Sequence, residues 1–196
     1  MSARFWYLRR GVAWHSVLGA CGGATITAFL LARWPDDAFL LAPALLACCA
    51  AAAAFVYDED ALPVVAVTPR GASWRRVNRL GVALVPLSLW AVVVSVRPGH
   101  VSLAQPGWWL LGGSTVLLVA GSAALASRRL VPTPGALLAP VVALAVVAPV
   151  TFAGLFSWGT LYPIDDFPDP VRTVWLGVAV SGAAVCAVAL RPGLRP

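Results

Sequence analysis

The sequence predicts an all-α integral membrane protein, a six-helix transmembrane bundle with both termini cytoplasmic, and three observations carry that prediction. The chain is 60% hydrophobic and 11% charged, with a mean hydropathy of +0.85, too few polar side chains to coat a soluble globule of 196 residues. Its apolar residues form continuous helix-length runs instead of ten-residue alternating strands, and a chain surrounded by lipid must satisfy its backbone internally as helices or a closed barrel. Its charges, finally, collect in the segments between the runs.

Six runs approach the roughly 20 residues needed to cross the hydrocarbon core. They cover about 12–32, 38–57, 80–96, 108–126, 136–158 and 174–190 of a single transmembrane domain, 1–196. The first follows Arg4, Arg9 and Arg10 as a signal peptide would, yet Trp34-Pro35-Asp36-Asp37 offers no small-residue cleavage site, so the span is expected to be retained. In the second and third, Pro43 and Pro86 each remove a backbone donor, as Pro140 and Pro149 do in the fifth, and invite bends. Gly19 and Gly23 form a Gly-x-x-x-Gly pair able to admit a neighbouring helix, a pattern also common by chance in Gly-rich spans. The four cysteines all lie within apolar runs and read as small packing residues.

Orientation follows from arginine, the only basic residue type besides the two histidines. Arg4, Arg9, Arg10, Arg70, Arg75, Arg76, Arg79, Arg128, Arg129, Arg191 and Arg195 fall on one side, against Arg33, Arg97 and Arg172 on the other. The positive-inside rule makes the first side cytoplasmic and places Asp36, Asp37, Asp165, Asp166 and Asp169 outside. Phe5, Trp6, Tyr7, Trp34, Trp74, Trp108, Trp109, Trp158 and Tyr162 lie near run ends, where amphipathic rings suit the headgroup layer as depth anchors. The aromatic-basic stretch 4–10 reads either as a short interfacial helix or as a frayed basic tail. The absence of Lys and the wealth of Ala, Val, Gly and Pro suggest a GC-rich bacterial genome, and hence a bacterial plasma membrane.

Several function classes find no support. No Asp, Glu or Arg occupies the middle of a run, where ion and proton handling places them, which disfavours a proton-coupled pump or ion channel. His100 lies in an outer segment and His15 near the start of the first run, too few groups for a catalytic or metal constellation. No Gly-x-x-x-x-Gly-Lys loop is present to hold nucleotide phosphates. The expectations are no catalytic residues, no metal, no cofactor bound by this chain and no nucleic-acid partner.

The segment 58–79 has more content than a linker. It opens with Asp58, Glu59 and Asp60; Asp60 can cap a helix of about two turns that tolerates Pro63 and presents Leu62, Val64 and Val65, and Pro69 biases Thr68 away from helix. After Arg70-Gly71, Ser73 can start a second helix in which Trp74 and Val77 face the membrane while Arg75, Arg76 and Arg79 meet headgroups or an acidic partner.

Six spans with both ends inside, an amphipathic N-terminal stretch, and an acidic cluster, short apolar helix, Thr-Pro and Arg-rich run between the second and third spans resemble the small permease subunits of type-2 ABC exporters, particularly actinobacterial ones. The resemblance implies that this loop is a coupling element docking into a groove on a separate ATPase, carried by Asp58, Glu59, Asp60, Leu62, Val65 and Thr68, with Arg70, Arg75, Arg76 and Arg79 securing it at the membrane face. It also implies ATP and Mg on that partner subunit, a second permease copy or related permease, and a path lined by the second and fifth spans, here Cys48, Cys49, Thr151, Phe152 and Phe156. Such an apolar lining suits a hydrophobic or amphipathic compound or peptide. The segment 159–170 departs from the family's re-entrant helices in being too polar to re-enter deeply. The competing reading is a non-transporting membrane anchor or sensor that binds a cytoplasmic regulatory protein through the same loop. A membrane-embedded enzyme would need catalytic groups from a partner.

Overall fold

The structure, a computed structural model, describes residues 3–58, 72–97, 103, 105–129, 133–156, 161–164 and 166–191, with the side chains of 3–6, 72–75, 154 and 156 excepted. Helix α1 (Ala3–Gly11) is followed by a break at Val12 and Ala13 and then α2 (Trp14–Arg33). A 3-10 turn, Pro35–Asp37, leads into α3 (Ala38–Phe55). Beyond the loop, α4 (Ala72–Leu80) passes through a second 3-10 turn, Gly81–Ala83, into α5 (Leu84–Val96). Three long helices complete the chain: α6 (Pro106–Arg128), α7 (Pro134–Phe156) and α8 (Asp169–Leu190). Among the described residues there is no strand, and six helical stretches are long and apolar enough to cross a membrane, which points to a multi-pass membrane protein.

Those stretches match the expected runs to within a few residues except at two starts. The third begins at Arg76 because α4 runs on through the 3-10 turn; Pro86, in the first turn of α5, withholds the amide that would bond Val82, at the place where regular α-helix is interrupted. The sixth begins at Asp169, its first turn accommodating Pro170, whose missing N–H has no helical partner there anyway. Pro43, Pro140 and Pro149 lie inside continuous helices.

Helices α3 and α6 form the middle of the bundle. Both are buried over more than half of their central length, whereas α2, α7 and α8 each bury one face and leave the other open. Composition explains the arrangement: α3 is rich in fully buried Ala, which admits neighbouring helices closely, Ala50, Ala53 and Ala54 packing against Val116, Val119 and Ala120 of α6 and Leu138 and Val142 of α7. The most extensive helix pair is α6 against α8, and glycine sets its spacing. A Cβ on Gly121 would lie 2.7 Å from Cys186 Sγ, and one on Gly182 would lie 3.0 Å from the Leu118 backbone nitrogen. Cys186 is therefore a packing residue at this seam, its thiol donating to the Leu117 carbonyl at 3.4 Å. The Gly19–Gly23 pair does not act as a pair: a Cβ on Gly23 would lie 3.5 Å from Cys48 Sγ, but one on Gly19 would meet nothing within 4 Å.

At the end of the bundle bearing Asp36, Asp37, Asp166 and Asp169, aromatic rings form a plug. Trp90 donates its indole N–H to the Trp108 carbonyl at 3.1 Å, and Gly112 is where the Trp90 ring passes against α6. Phe167 meets Trp108 edge-on at 6.0 Å, while Trp175 donates to the Leu161 carbonyl at 3.0 Å and packs against Tyr162. Trp108 and Tyr162, expected as headgroup anchors, are instead buried in protein, at 0% and 4% exposure. Their position near a span end is right, but the segment between α7 and α8 turns Leu161, Tyr162, Pro163 and Phe167 back onto the core and covers them. Trp34 and Trp109 do face outward.

Candidate functional site

The opposite end of the bundle is built around two buried charges, Asp58 and Arg79. Helix α3 ends at Phe55, and a turn closed by the Asp58 N–H on the Phe55 carbonyl, 3.1 Å, swings Asp58 inward to 5% exposure. Its Oδ1 accepts the N–H of Gly135, at the second position of α7, at 2.6 Å. One of the four amides that a helix start leaves without an internal partner is thereby satisfied, and a negative charge is set at the positive end of α7. Gly135 makes this approach possible, since a Cβ there would lie 2.7 Å from the Phe55 Cα.

Arg79, in the last turn of α4, is 3% exposed. Its Nε donates to the Tyr7 hydroxyl at 2.8 Å, one Nη to the Asp58 carbonyl at 3.4 Å and the other to the Gly11 carbonyl at the end of α1, while the guanidinium stands 5.6 Å from the Tyr7 ring centroid. Tyr57, also buried, donates to the Arg76 carbonyl at 3.1 Å. A guanidinium has five donors in a rigid fork, and here the fork joins α1, α4 and the end of α3. Arg128 donates to the Val188 carbonyl and, at 3.0 Å, to the Arg191 carbonyl, tying the ends of α6 and α8.

Most of the described arginines thus gather at this end, away from Arg33, Arg97 and Arg172, but with divided roles. Arg79, expected to meet headgroups or an acidic partner, is an internal cross-link, because Tyr7, Gly11 and Asp58 enclose it. Arg9 and Arg129 are exposed and Arg76 is half-buried. Helix α4 starts at Ala72, one residue from the expected start at Ser73, and Val77 on it is exposed. The stretch 4–10 is helical, and Tyr7 on it is turned inward. Glu59, Asp60, Leu62, Val65, Thr68 and Arg70 lie outside the described residues, as does the side chain of Arg75.

No protein-family model matches the chain, and neither a characterised protein nor a solved structure matches it significantly.

Of the five residues expected along a substrate path, the four with described side chains differ in exposure. Cys49 is fully buried in the core, Cys48 is half-buried against α2, and Thr151 and Phe152 are exposed on α7, with the Thr151 hydroxyl returned to the Val147 carbonyl at 3.2 Å. The Phe156 side chain lies outside the described residues. Tyr7, Gly11, Gly135 and the structural part of Arg79 were missed by sequence reading. Gly135 follows Pro134 at a helix start, and that pairing was the one local signal available.

Proposed function

We propose that this chain is the membrane-spanning permease subunit of an ATP-driven type-2 ABC exporter in a bacterial plasma membrane. Its arginine-rich end faces the cytoplasm, with both termini there, and a separate ATPase subunit binding ATP and Mg docks on the loop between α3 and α4. One observation supports this above the others. The residue entering the loop, Asp58, and the helix leaving it, α4, are both bonded through buried polar groups to α1, α3 and α7. A displacement of Asp58 or of α4 by a closing ATPase would therefore be felt at the end of α3, a central helix.

A permease of this class works as a pair, and the open face of α7, with Leu137, Leu144, Phe152 and Leu155 exposed, suits a second copy or a related permease. The apolar character of α3 and α7 suits a hydrophobic or amphipathic cargo. The anchor or sensor reading uses the same loop but requires no nucleotide hydrolysis. Purification of the chain from its native host in mild detergent, with mass spectrometry of bound proteins, separates the two. A stoichiometric partner carrying Gly-x-x-x-x-Gly-Lys-Ser/Thr, whose ATP turnover changes when this chain is added, is the expected result. An intact, folded chain with no such partner would sink the transport reading.

A further inference from the structure

A groove of about 640 Å³ opens beside the buried cluster, between α1 and the head of the third span. Leu8 and Arg9 of α1, Trp14 at the start of α2, and Asn78, Gly81, Val82 and Val85 along α4, the 3-10 turn and α5 line it. The Trp14 indole N–H is spent on the Leu8 carbonyl at 2.9 Å, which fixes the corner between α1 and α2 and leaves the ring as an apolar wall. Gly81 borders open space, since a Cβ added there would meet nothing within 4 Å.

We infer that this groove binds one anionic phospholipid, with its phosphate at Arg9 and the upper part of an acyl chain along Gly81, Val82 and Val85. The occupant is argued from charge and from where the groove leads. Its polar residues, Arg9 and Asn78, are on α1 and α4, at the end where Arg10, Arg76, Arg128 and Arg191 also collect, a field that favours an anion. Its apolar side continues onto exposed Val85 and Leu84, which belong to a stretch long and apolar enough to cross the membrane. A soluble anion has no use for that side, and a soluble protein would have to enter the bilayer to reach it. The inference requires a bilayer around the bundle and does not depend on the transport reading.

The test is native mass spectrometry of the full chain in detergent, titrated with phosphatidylglycerol and with phosphatidylcholine of the same acyl chains. One saturable phosphatidylglycerol adduct is expected, bound about five-fold more tightly than phosphatidylcholine, with Arg9→Gln removing most of that preference. Gly81→Leu fills that open space and should abolish the saturable adduct; Val85→Trp, at an exposed wall position, is a second block if the first variant does not survive purification. Excess inorganic phosphate should leave the adduct in place. Equal binding of the two lipids, an adduct unchanged by whichever block folds, as when another part of the chain fills the groove, or displacement by phosphate alone would each overturn the assignment.

Discussion

The carboxylate of Asp58 caps the start of α7 through the N–H of Gly135 at 2.6 Å, although the two residues are 77 positions apart. The same residue's carbonyl accepts from Arg79, so one position closes α3, caps α7 and receives α4. Replacing Asp58 with Ala leaves the buried Gly135 amide unanswered and removes the negative charge at the start of α7, a loss of about 1.5–3 kcal/mol for the charged hydrogen bond. Asp58→Asn keeps an acceptor oxygen and should lose less. Intrinsic tryptophan fluorescence during thermal unfolding in detergent should order the midpoints wild type, Asn, Ala. An Ala variant as stable as the wild type would show that the cap contributes nothing. The comparison also separates folding from docking, because Ala at Glu59 and Asp60 should lower ATPase co-purification, if that partner exists, without the same fall in midpoint.

Two glycines in helices should respond oppositely to alanine. At Gly135 the new methyl would meet the Phe55 Cα at 2.7 Å and Asp58 Oδ1 at 2.9 Å, so α7 must withdraw from α3 and stretch the cap. At Gly19 it would meet nothing within 4 Å, and alanine favours an exposed helix interior by about 1 kcal/mol. Gly135→Ala is expected to lower the unfolding midpoint and Gly19→Ala to leave it unchanged or raise it. Equal behaviour of the two would mean that close packing at Gly135 does not govern the site.

The bundle was readable because its signals are local. Twenty-residue apolar runs and alternating charge leave little freedom in the number of long helices, and the six found overlap the runs that announce them, two of them starting earlier than expected. The partners of Arg79 were not readable, because Tyr7 is 72 positions away and Gly11 is 68, and nothing in the spacing of 75, 76 and 79 tells a buried arginine from an exposed one. Trp108 and Tyr162 failed for a related reason. Their place near a span end correctly suggests an amphipathic ring at a boundary, but whether lipid headgroups or a returning segment of chain covers the ring depends on tertiary structure. The two spans expected to line a path are in contact, α3 against α7, with Cys49 fully buried and Thr151 exposed, a difference that the apolar run of each span does not encode.

Tyr162 gives the far end of the bundle a distinct alkaline response. Burial under the segment between α7 and α8 pushes its phenol up to about 12, above the ordinary value near 10. Its contribution is fully present below about pH 10, the unfolded value; between there and about pH 12 the unfolded chain releases the proton while the folded chain retains it, so stability falls as pH rises. Tyr162→Phe removes the titrating group but keeps the ring against Trp175. The unfolding midpoint of the wild type should therefore decline more steeply through that window than that of the Phe variant, whatever the difference between them at neutral pH. The difference in absorbance near 295 nm between wild type and variant, which isolates the Tyr162 tyrosinate, should appear at higher pH in the folded chains than in the unfolded ones. Parallel midpoint curves would mean that the phenol remains open to water, and the covering of this end by Leu161, Tyr162 and Phe167 would have to be redrawn.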